Sequence, residues 1–357
     1  MSLLKHLVKE GETIHKVAQK YQIRVIDLLF NNQGLENEFQ YIYPGELLFI
    51  PEVTNITNKN EAPFECKKEY GPSDLEEDVK TLRKNYPSVV SVQKIGHSVM
   101  GKPIYAFVIG KGKKEVFYSG GWHANEWMTS KFLILFLKML LQHYQSNLPF
   151  FHYHVSKILE DVKLYIVPMV NPDGVELVQQ GIYEEHPFFY SVLNINKGAR
   201  RFEHWSSNIR GVDLNHQWPA GWDLEAKESP QVPWPRHYSG KAPLTEPEVK
   251  SVYHLTKKQN FAYVLAFHSQ GQVIYWGYKN LEPSKSQEMV QRLSLVSSYQ
   301  PVRTADSDGG YKDWFIQETG RPGFTIEVGV GTNPLPFSAF SEVWSNNSLL
   351  ALEGLIL

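Results

Sequence analysis

The segment GGWHANEWMT, residues 120–129, carries two side chains that can bind a metal ion. His123 and Glu126 stand three residues apart, directly after the apolar run 116–118, which is typical of a β-strand. Catalytic zinc usually takes three histidine or carboxylate ligands and leaves its fourth position open. Two such ligands at one strand end predict a zinc site, provided that a third ligand exists. The alternative at this stage is a surface histidine beside an unrelated glutamate.

His268 is the candidate for the third ligand, because it lies at the end of a second β-type run, AYVLAFHS. A sheet brings distant strand ends side by side, and α/β sheets place their ligands at such ends. Glu327 lies inside another apolar run, FTIEVG, where an unpaired carboxylate would be costly. At a zinc site it could accept the proton of a water molecule. A buried salt bridge is the alternative explanation for Glu327.

Composition excludes several other classes of protein. The chain has 357 residues and a net charge of -2, which provides no electrostatic footprint for nucleic acid or an anionic membrane. The single cysteine, Cys66, excludes an internal disulfide and a thiolate metal cluster. The longest apolar run, residues 132–141, is too short to span a bilayer and contains Lys138. The N-terminal residues have no apolar segment followed by a cleavage site, so we expect no signal peptide.

Residues 1–51 are predicted to form a small domain of their own. Two segments with apolar residues at helical spacing lie between two short β-type runs, which predicts a βααβ order. The pattern VKEGETI, KVAQKY, the pair Asn31–Asn32 and PGELLFIP resembles the lysin motif (LysM). This resemblance implies binding to N-acetylglucosamine-containing glycans such as peptidoglycan or chitin, and the alternative is a folding module without a sugar site. Residues 52–69 are polar and aperiodic, so they are predicted to form a linker.

Residues 70–357 alternate between helical and β-type patterns, which predicts one α/β domain with helices on both faces of a mixed sheet. The predicted strands are VSVQKIGHS, PIYAFVIG, EVFYSG, VKLYIVPMV, AYVLAFHS, QVIYW and GFTIEVGVG. Helices are predicted from Ser73 and from Thr245, each with a glutamate three residues on as a capping partner. Residues 175–243 are aperiodic but rich in aromatic residues, which favours an active-site loop system over disorder.

Six motifs occur in the order typical of the zinc metallocarboxypeptidases: IGHSVMGKPI, WHANEW, NPDG, RGVDLN, FHSQG and FTIEVG. The chain resembles in particular their bacterial branch of γ-D-glutamyl-diaminopimelate peptidases. The resemblance implies a mixed, mostly parallel eight-stranded sheet with helices on both faces. It implies one zinc ion bound by His123, Glu126 and His268, with Glu327 as general base and then general acid. Arg210 matches the arginine that polarises the scissile carbonyl and steadies the oxyanion.

One pair of substrate-binding positions departs from that family. Most carboxypeptidases carry Asn-Arg to hold the terminal carboxylate of the substrate, whereas this chain has Asn215 followed by His216. A neutral imidazole cannot replace the bidentate guanidinium, so we expect weaker selection for a free C-terminus. This departure favours an endopeptidase, or an enzyme that binds its carboxylate elsewhere.

The remaining substrate positions follow from an ungapped count back from the catalytic glutamate. Ala305 stands where the family has its substrate-contacting tyrosine, and Tyr299 and Tyr311 are the nearest substitutes. Lys312 stands at the position that usually lines the specificity pocket. We hypothesise that Lys312, together with Arg303, pairs with an acidic group of the substrate such as the distal carboxylate of diaminopimelate.

The sequence therefore predicts a zinc peptidase that cuts the γ-D-glutamyl to meso-diaminopimelate (or L-lysine) bond of peptidoglycan stem peptides. A glycan-binding domain joined to such a peptidase suits one cell-wall enzyme. An alternative within the same class is a zinc carboxypeptidase acting on protein or peptide C-termini. Two others are a wall-binding protein with an inactive peptidase domain and a zinc amidohydrolase acting on small acyl amino acids.

The expected partners are stem peptides and N-acetylglucosamine-containing glycan, with no nucleic acid and no membrane insertion. Since no signal peptide is predicted, we expect the enzyme in the cytoplasm, where it would act on recycled fragments. Association with the spore or the lysing mother cell is the other expected location.

Overall fold

A computed structural model describes most of the 357 residues. The described residues are 4–21, 23, 25–32, 34–35, 40–50, 66, 68–304 and 307–357. The chain forms two compact units, of which one comprises residues 1–64 with 295–298 and the other comprises residues 65–294 with 299–357. Most of the predicted linker, residues 52–69, lies outside the described residues, so its boundaries stay a prediction.

The smaller unit has the predicted βααβ order. Its elements are β1 (Leu4–Leu7), α1 (Ile14–Lys20), α2 (Val25–Phe30) and β2 (Leu47–Ile50). The two strands pair antiparallel, and residues of both helices and of β2 form one buried apolar core. Asn32 ties α2 to β2, because its Nδ2 donates hydrogen bonds to the carbonyls of Leu28 (2.7 Å) and Phe49 (2.8 Å). Its side-chain oxygen accepts one from the Phe49 N–H (2.7 Å).

The larger unit is built on an eight-stranded sheet. Its strands are β3 (Val90–His97), β4 (Pro103–Ile109), β5 (Lys114–Ser119), β6 (Val162–Val167), β7 (Phe261–His268), β8 (Val273–Tyr275), β9 (Gln300–Val302) and β10 (Gly323–Glu327). They lie in the order β3-β4-β6-β5-β7-β10-β8-β9. The pairs β5–β6, β5–β7, β7–β10 and β8–β9 are parallel, and the other neighbours are antiparallel. The predicted mixed, mostly parallel sheet is confirmed.

Helices cover both faces of this sheet. The remaining helices of the chain are α3 (Pro72–Asn85), α4 (Trp127–Ser146), α5 (Val155–Asp161), α6 (Pro172–Gln180), α7 (Phe189–Ile195), α8 (Trp222–Glu228), α9 (Pro247–Lys258), α10 (Lys285–Ser297), α11 (Tyr311–Thr319) and α12 (Phe340–Ile356). Successive side chains of a strand point to opposite faces. In β5, Phe117 contacts Tyr311 of α11, whereas Tyr118 contacts Phe136 of α4. Among the described helices, none combines the length and the hydrophobicity that a membrane-spanning segment needs.

Several local predictions were wrong. Helix α3 begins at Pro72, not Ser73, and the Gly71 N–H donates to the carboxylate of Asp74 (3.0 Å) in place of the expected capping box. Helix α9 begins two residues after Thr245. The segment predicted to be irregular, residues 175–243, contains α7, α8 and most of α6, and the sequence did not indicate β9. Helices α7 and α8 and strand β9 are short, so tertiary contacts decide them more than residue periodicity does.

The carboxyl ends of β5, β7 and β10 lie side by side at one edge of the sheet. Ser119 at the end of β5 is in register with Ala266 of β7, and Glu327 of β10 is in register with His268. Because these strands are parallel, the loops that follow them leave the sheet in the same direction. The fold thus brings together residues that are far apart in the sequence.

Candidate active site

Two of the predicted metal ligands follow β5, and the third ends β7. His123 directly precedes the 3-10 turn Ala124–Glu126, and His268 is the last residue of its strand. The backbone can turn sharply after β5 because Gly121 has φ of 59°, and a Cβ there would collide with the Ser130 hydroxyl. One loop therefore presents an imidazole and a carboxylate beside the imidazole of the neighbouring strand.

The donor atoms of these three residues converge at one point. Nδ1 of His123 lies 3.3 Å from Nδ1 of His268 and 2.9 Å from Oε1 of Glu126. Nδ1 of His268 lies 3.1 Å from Oε2 of Glu126. Two ligands of a tetrahedral zinc ion, with bonds of about 2.0–2.1 Å, are roughly 3.3 Å apart. The donor types and their separations therefore fit one zinc ion.

Asp213 contacts the ring nitrogen of His123 that points away from the other two ligands. Its Oδ1 lies 3.2 Å from Nε2 of His123, and its carboxylate also accepts hydrogen bonds from the backbone N–H groups of Asn215 and His237, both at 3.1 Å. A carboxylate on the outer nitrogen of a metal-binding histidine sets the tautomer and leaves the inner nitrogen free to bind. Asp213 was not predicted as a site residue from the sequence. Its place in the RGVDLN motif, two residues before Asn215, was the available signal.

Two carboxylates in this group keep their negative charge. Burial opposes ionisation of Glu126, but the charge of His123 and hydrogen bonds from His123 and His268 lower its pKa to about 2. Burial likewise opposes ionisation of Asp213, but His123 and His216 hold its pKa well below the ordinary value. Burial opposes protonation of His123, but the charges of Glu126 and Asp213 raise its pKa well above the ordinary value. The two ionised acids are therefore matched here by an imidazolium, and a bound zinc ion would take over that positive charge.

Glu327 lies next to the metal-binding group without an ionic partner of its own. It is half-buried at the end of β10, in register with His268. Burial, and then the negative charge of Glu126, raise the pKa of Glu327 to about 8, while His123 acts in the opposite direction. Within the described part of the chain its carboxylate has no hydrogen-bond or ion-pair partner, so a salt bridge does not account for it. A raised pKa and a free carboxylate suit a general base.

Arg210 lies in the turn between Asn208 and Val212. Its backbone N–H donates to Oδ1 of Asn208 (3.0 Å), and the Val212 N–H donates to the same oxygen (3.2 Å). Its guanidinium is 48% exposed and lies 3.4 Å from Oε2 of Glu246. The geometry gives Arg210 a carboxylate partner, and its contact with a scissile carbonyl stays a prediction.

The Asn215–His216 pair lies in the 3-10 turn after Asp213. The Asn215 side-chain oxygen accepts a hydrogen bond from the Tyr311 N–H (3.1 Å). Nδ1 of His216 lies 2.9 Å from Oε1 of Glu225. Burial opposes protonation of His216, but the charges of Asp213 and Glu225 outweigh it and raise the pKa. His216 is therefore more basic than the neutral imidazole assumed from the sequence, and its charge is matched by an internal carboxylate.

Two other predicted substrate residues have internal partners. Tyr311 is fully buried, stacks on Trp122 at 5.4 Å between ring centroids, and shares a hydrogen bond of 3.0 Å with the Thr256 hydroxyl. Lys312 is also buried, and its ammonium lies 2.5 Å from Oδ1 of Asp313. Both side chains thus have partners within the fold around the site, and their contacts with substrate stay predictions.

Two of the remaining predicted positions also have internal partners. The Tyr299 hydroxyl accepts a hydrogen bond from Nδ2 of Asn347 (2.7 Å), and Arg303 pairs with Glu282 (2.7 Å). Ala305, the position counted for the family tyrosine, lies outside the described residues. The predicted metal ligands and general base are thus brought together, and Asn215 and His216 lie in the turn after Asp213, the residue that contacts His123. The substrate contacts of the predicted positions stay predictions.

A mixed sheet with a His-Glu-His group and a neighbouring carboxylate at its strand ends defines this protein as a zinc hydrolase. Its sequence matches the zinc carboxypeptidase family over residues 75–349 and the LysM domain over residues 6–51. The chain belongs to the zinc carboxypeptidase family, whose members use zinc, and it carries a LysM domain.

Two relatives extend over most of this chain. Gamma-D-glutamyl-L-diamino acid endopeptidase 1 of Lysinibacillus sphaericus is 44% identical over 291 residues, which cover 82% of this chain and 73% of that protein. The uncharacterized protein YqgT of Bacillus subtilis (strain 168) is 38% identical over 341 residues, covering 94% and 89%.

Solved structures share the fold at lower sequence identity. Bovine thrombin-activatable fibrinolysis inhibitor in complex with tick carboxypeptidase inhibitor aligns with a TM-score of 0.64 and 20% identity, covering 81% of this chain and 97% of that one. Carboxypeptidase A from Helicoverpa armigera aligns with a TM-score of 0.57 and 20% identity, covering 81% and 74%. These similarities confirm the carboxypeptidase-like fold.

Proposed function

We propose that this protein is a zinc-dependent peptidase that hydrolyses the bond between γ-D-glutamate and the diamino acid of peptidoglycan stem peptides. The observation that carries the proposal is the 44% identity to a gamma-D-glutamyl-L-diamino acid endopeptidase over 291 residues. The convergent donors of His123, Glu126 and His268 support it, because they supply what a zinc hydrolase requires.

Each residue of the site has a role in this proposal. His123, Glu126 and His268 would hold the zinc ion, which supplies Lewis acidity at the scissile carbonyl and makes a water molecule more acidic. Glu327 accepts the proton of the attacking water on its carboxylate and donates it to the leaving amino nitrogen. Arg210 is proposed to stabilise negative charge that develops on the carbonyl oxygen.

The LysM domain is proposed to hold the enzyme near its substrate. It would bind N-acetylglucosamine-containing glycan, and binding of both glycan and stem peptide raises the effective concentration of the scissile bond. The proposed location is the cytoplasm, where the enzyme meets recycled wall fragments, or the spore and the lysing mother cell.

A carboxypeptidase acting on protein or peptide C-termini is less well supported. Such an enzyme requires a fixed cation for the terminal carboxylate of its substrate. In this chain His216 stands at that position, and its Nδ1 lies 2.9 Å from Oε1 of Glu225. The negative charge of Glu225 offsets the positive charge of a protonated His216. The attraction of His216 for a second carboxylate is therefore weaker.

The proposal is tested by incubating purified muropeptides with the zinc-loaded enzyme and identifying the products by mass spectrometry. We expect cleavage between D-glutamate and the diamino acid, and a Glu327→Gln variant that retains zinc should be slower by about 10²- to 10⁴-fold. A hippuryl-amino-acid substrate serves as the comparison. Faster cleavage of the hippuryl substrate than of the muropeptide would show that the proposed specificity is wrong.

A further inference from the structure

A cavity of about 330 Å³ lies beside the Asn215–His216 turn. The charged residues that line it are Glu225, Glu228, Lys279, Asp308 and Asp313. Glu225 lines the cavity and also contacts this turn, because its Oε1 lies 2.9 Å from Nδ1 of His216. Its Oε2 accepts a hydrogen bond from the Asp308 N–H at 2.9 Å. The cavity therefore adjoins the turn that begins at Asp213, the partner of His123.

The described lining of this cavity carries both signs of charge. Oδ1 of Asp308 lies 2.8 Å from the Lys279 ammonium and accepts a hydrogen bond from the Tyr278 hydroxyl at 2.6 Å. Asp313 is neutralised by the buried Lys312 behind it. Glu228 has no ion-pair partner within the described part of the chain. The lining thus offers carboxylates to an ammonium group and one lysine to a carboxylate.

The ion pair between Lys279 and Asp308 can open at low cost. The Lys279 side chain is 47% exposed and that of Asp308 is 19% exposed. Partly exposed pairs of this kind contribute little to stability, because solvent screens them. A ligand that carries an ammonium and a carboxylate on one carbon can insert between the two side chains. Asp308 then meets the ammonium and Lys279 meets the carboxylate, so that neither side chain loses an ionic partner.

We infer that this cavity binds the side chain of the diamino acid and that Lys279 and Asp308 select meso-diaminopimelate over lysine. The inference rests on the proposed function. The side chain of meso-diaminopimelate ends in both an ammonium and a carboxylate, whereas that of lysine ends in an ammonium alone. A volume of about 330 Å³ is near the lower end of ligand pockets and suits one side chain rather than a glycan. Lys279, not the buried Lys312, is then the cation that meets the distal carboxylate.

The test compares kcat/KM for two stem peptides that differ only in meso-diaminopimelate or L-lysine. Lys279→Met should lower the value for the diaminopimelate peptide by roughly tenfold to a hundredfold, the effect of one lost charge-assisted contact. The value for the lysine peptide should change by less than about threefold, within the effect of a screened surface charge. Asp308→Asn should lower both, because both substrates carry the ammonium. Equal effects of Lys279→Met on the two peptides, or no effect on either, would overturn the inference.

Lys257→Met is the matched control. Lys257 forms a surface ion pair with Glu318 at 2.6 Å and does not line the cavity. The Lys257→Met substitution should leave the ratio of the two kcat/KM values unchanged. An unchanged thermal unfolding midpoint of Lys279→Met excludes a folding defect as the cause of its altered ratio.

A binding measurement separates this inference from the proposed function. A wild-type enzyme that cleaves neither peptide contradicts the proposed function. Calorimetric titration of the zinc-loaded Glu327→Gln protein uses meso-diaminopimelate and L-lysine whose proximal amino and carboxyl groups are blocked as the acetyl amide. Only the diaminopimelate derivative then carries an ammonium and a carboxylate on one carbon, so the titration tests the cavity by itself. Tighter binding of the diaminopimelate derivative that is lost when Lys279→Met is added supports the subsite. Absence of binding, or equal binding of both derivatives, rejects it.

Discussion

Nε2 of His123 lies 3.2 Å from Oδ1 of the buried Asp213, on the side of the imidazole away from Glu126 and His268. This contact fixes which nitrogen of His123 carries the proton. It also orients the ring, because backbone N–H groups hold the carboxylate in place. Because Nε2 contacts Asp213, Nδ1 of His123 is the nitrogen that is left to bind metal.

Asp213→Asn should weaken zinc binding without removing a predicted ligand. We expect an affinity loss of about 10- to 100-fold, the usual effect of losing such an outer carboxylate. Competition with a chelator measures it. Asp161→Asn, at the exposed end of α5, is the control and should bind zinc like the wild type. An unchanged affinity of Asp213→Asn would mean that the contact does not position His123.

The activity should fall on acidification through the pKa of Glu327. A general base acts only when ionised, and burial with Glu126 raises this pKa from 4.5 to about 8. Bound zinc adds positive charge and lowers it again, so we expect the acid limb of kcat/KM between these two values. At pH values below the pKa that sets this limb, kcat/KM should fall about tenfold per pH unit. A profile on a soluble muropeptide that stays flat down to pH 4.5 would contradict this role.

His216→Arg should shift the preference towards substrates with a free carboxylate on the diamino acid. Arginine can bind a carboxylate through two parallel hydrogen bonds, which a histidine cannot do. Because Glu225 would compete for that guanidinium, the test adds Glu225→Gln. The ratio of kcat/KM for a stem tripeptide over a tetrapeptide should rise by roughly tenfold in the double variant.

His237→Arg is the control for this substitution, since its ring centroid lies 5.4 Å from that of His216 and its side chain is exposed. It adds the same charge at a neighbouring position. An unchanged peptide ratio in the double variant would show that residue 216 does not face the carboxylate.

Buried Glu248 should make the free energy of unfolding depend on pH. Burial, with Asp173 and Glu246, raises its pKa to about 8 although it accepts a hydrogen bond from the Val99 N–H at 3.0 Å. Its folded pKa exceeds the unfolded one, so its stabilising effect is complete below about pH 4.5 and is lost as pH rises towards 8.

Glu248→Gln cannot ionise, so its stability relative to the wild type should increase between pH 5 and pH 8. The gain should be at most about 1.4 kcal/mol per pH unit. Urea unfolding at several pH values measures the difference between the two proteins, which cancels the titration of other groups. A difference that is independent of pH would show that Glu248 is ionised in the folded protein.

Leu28→Ala should separate wall binding from turnover. Leu28 is completely buried in the core of the LysM domain, and its truncation should cost about 2–5 kcal/mol. A domain this small has little stability to lose. We expect loss of binding to purified cell walls in a pull-down assay, with turnover of soluble muropeptides within about twofold, because the catalytic residues lie in the other unit.

Leu4→Ala is its control, since Leu4 is 51% exposed and contributes little to that core. It should retain wall binding. A Leu28→Ala protein that still binds walls, or that loses turnover of soluble peptides, would contradict the proposed division of tasks.

Site residues were predicted most reliably from the sequence where a side chain that can do chemistry lies within a clear strand pattern. His268 and Glu327 each belong to a strongly apolar run, and the parallel pairing of those runs was enough to place them side by side. Predictions for Tyr311 and Lys312 relied on a count along the chain alone. That count cannot show that the first side chain is enclosed by aromatic rings and the second is paired with Asp313.

The donor types, the α/β architecture and the LysM pattern could be predicted from the residues, because strand and helix periodicity and metal-ligand chemistry are properties of short segments. Three other features are visible only in the folded chain: the contact of Asp213 with His123, the pairing of His216 with Glu225 and the cavity that Glu225 lines. These features depend on which side chains meet across loops, and a local pattern records burial but not the identity of the partner.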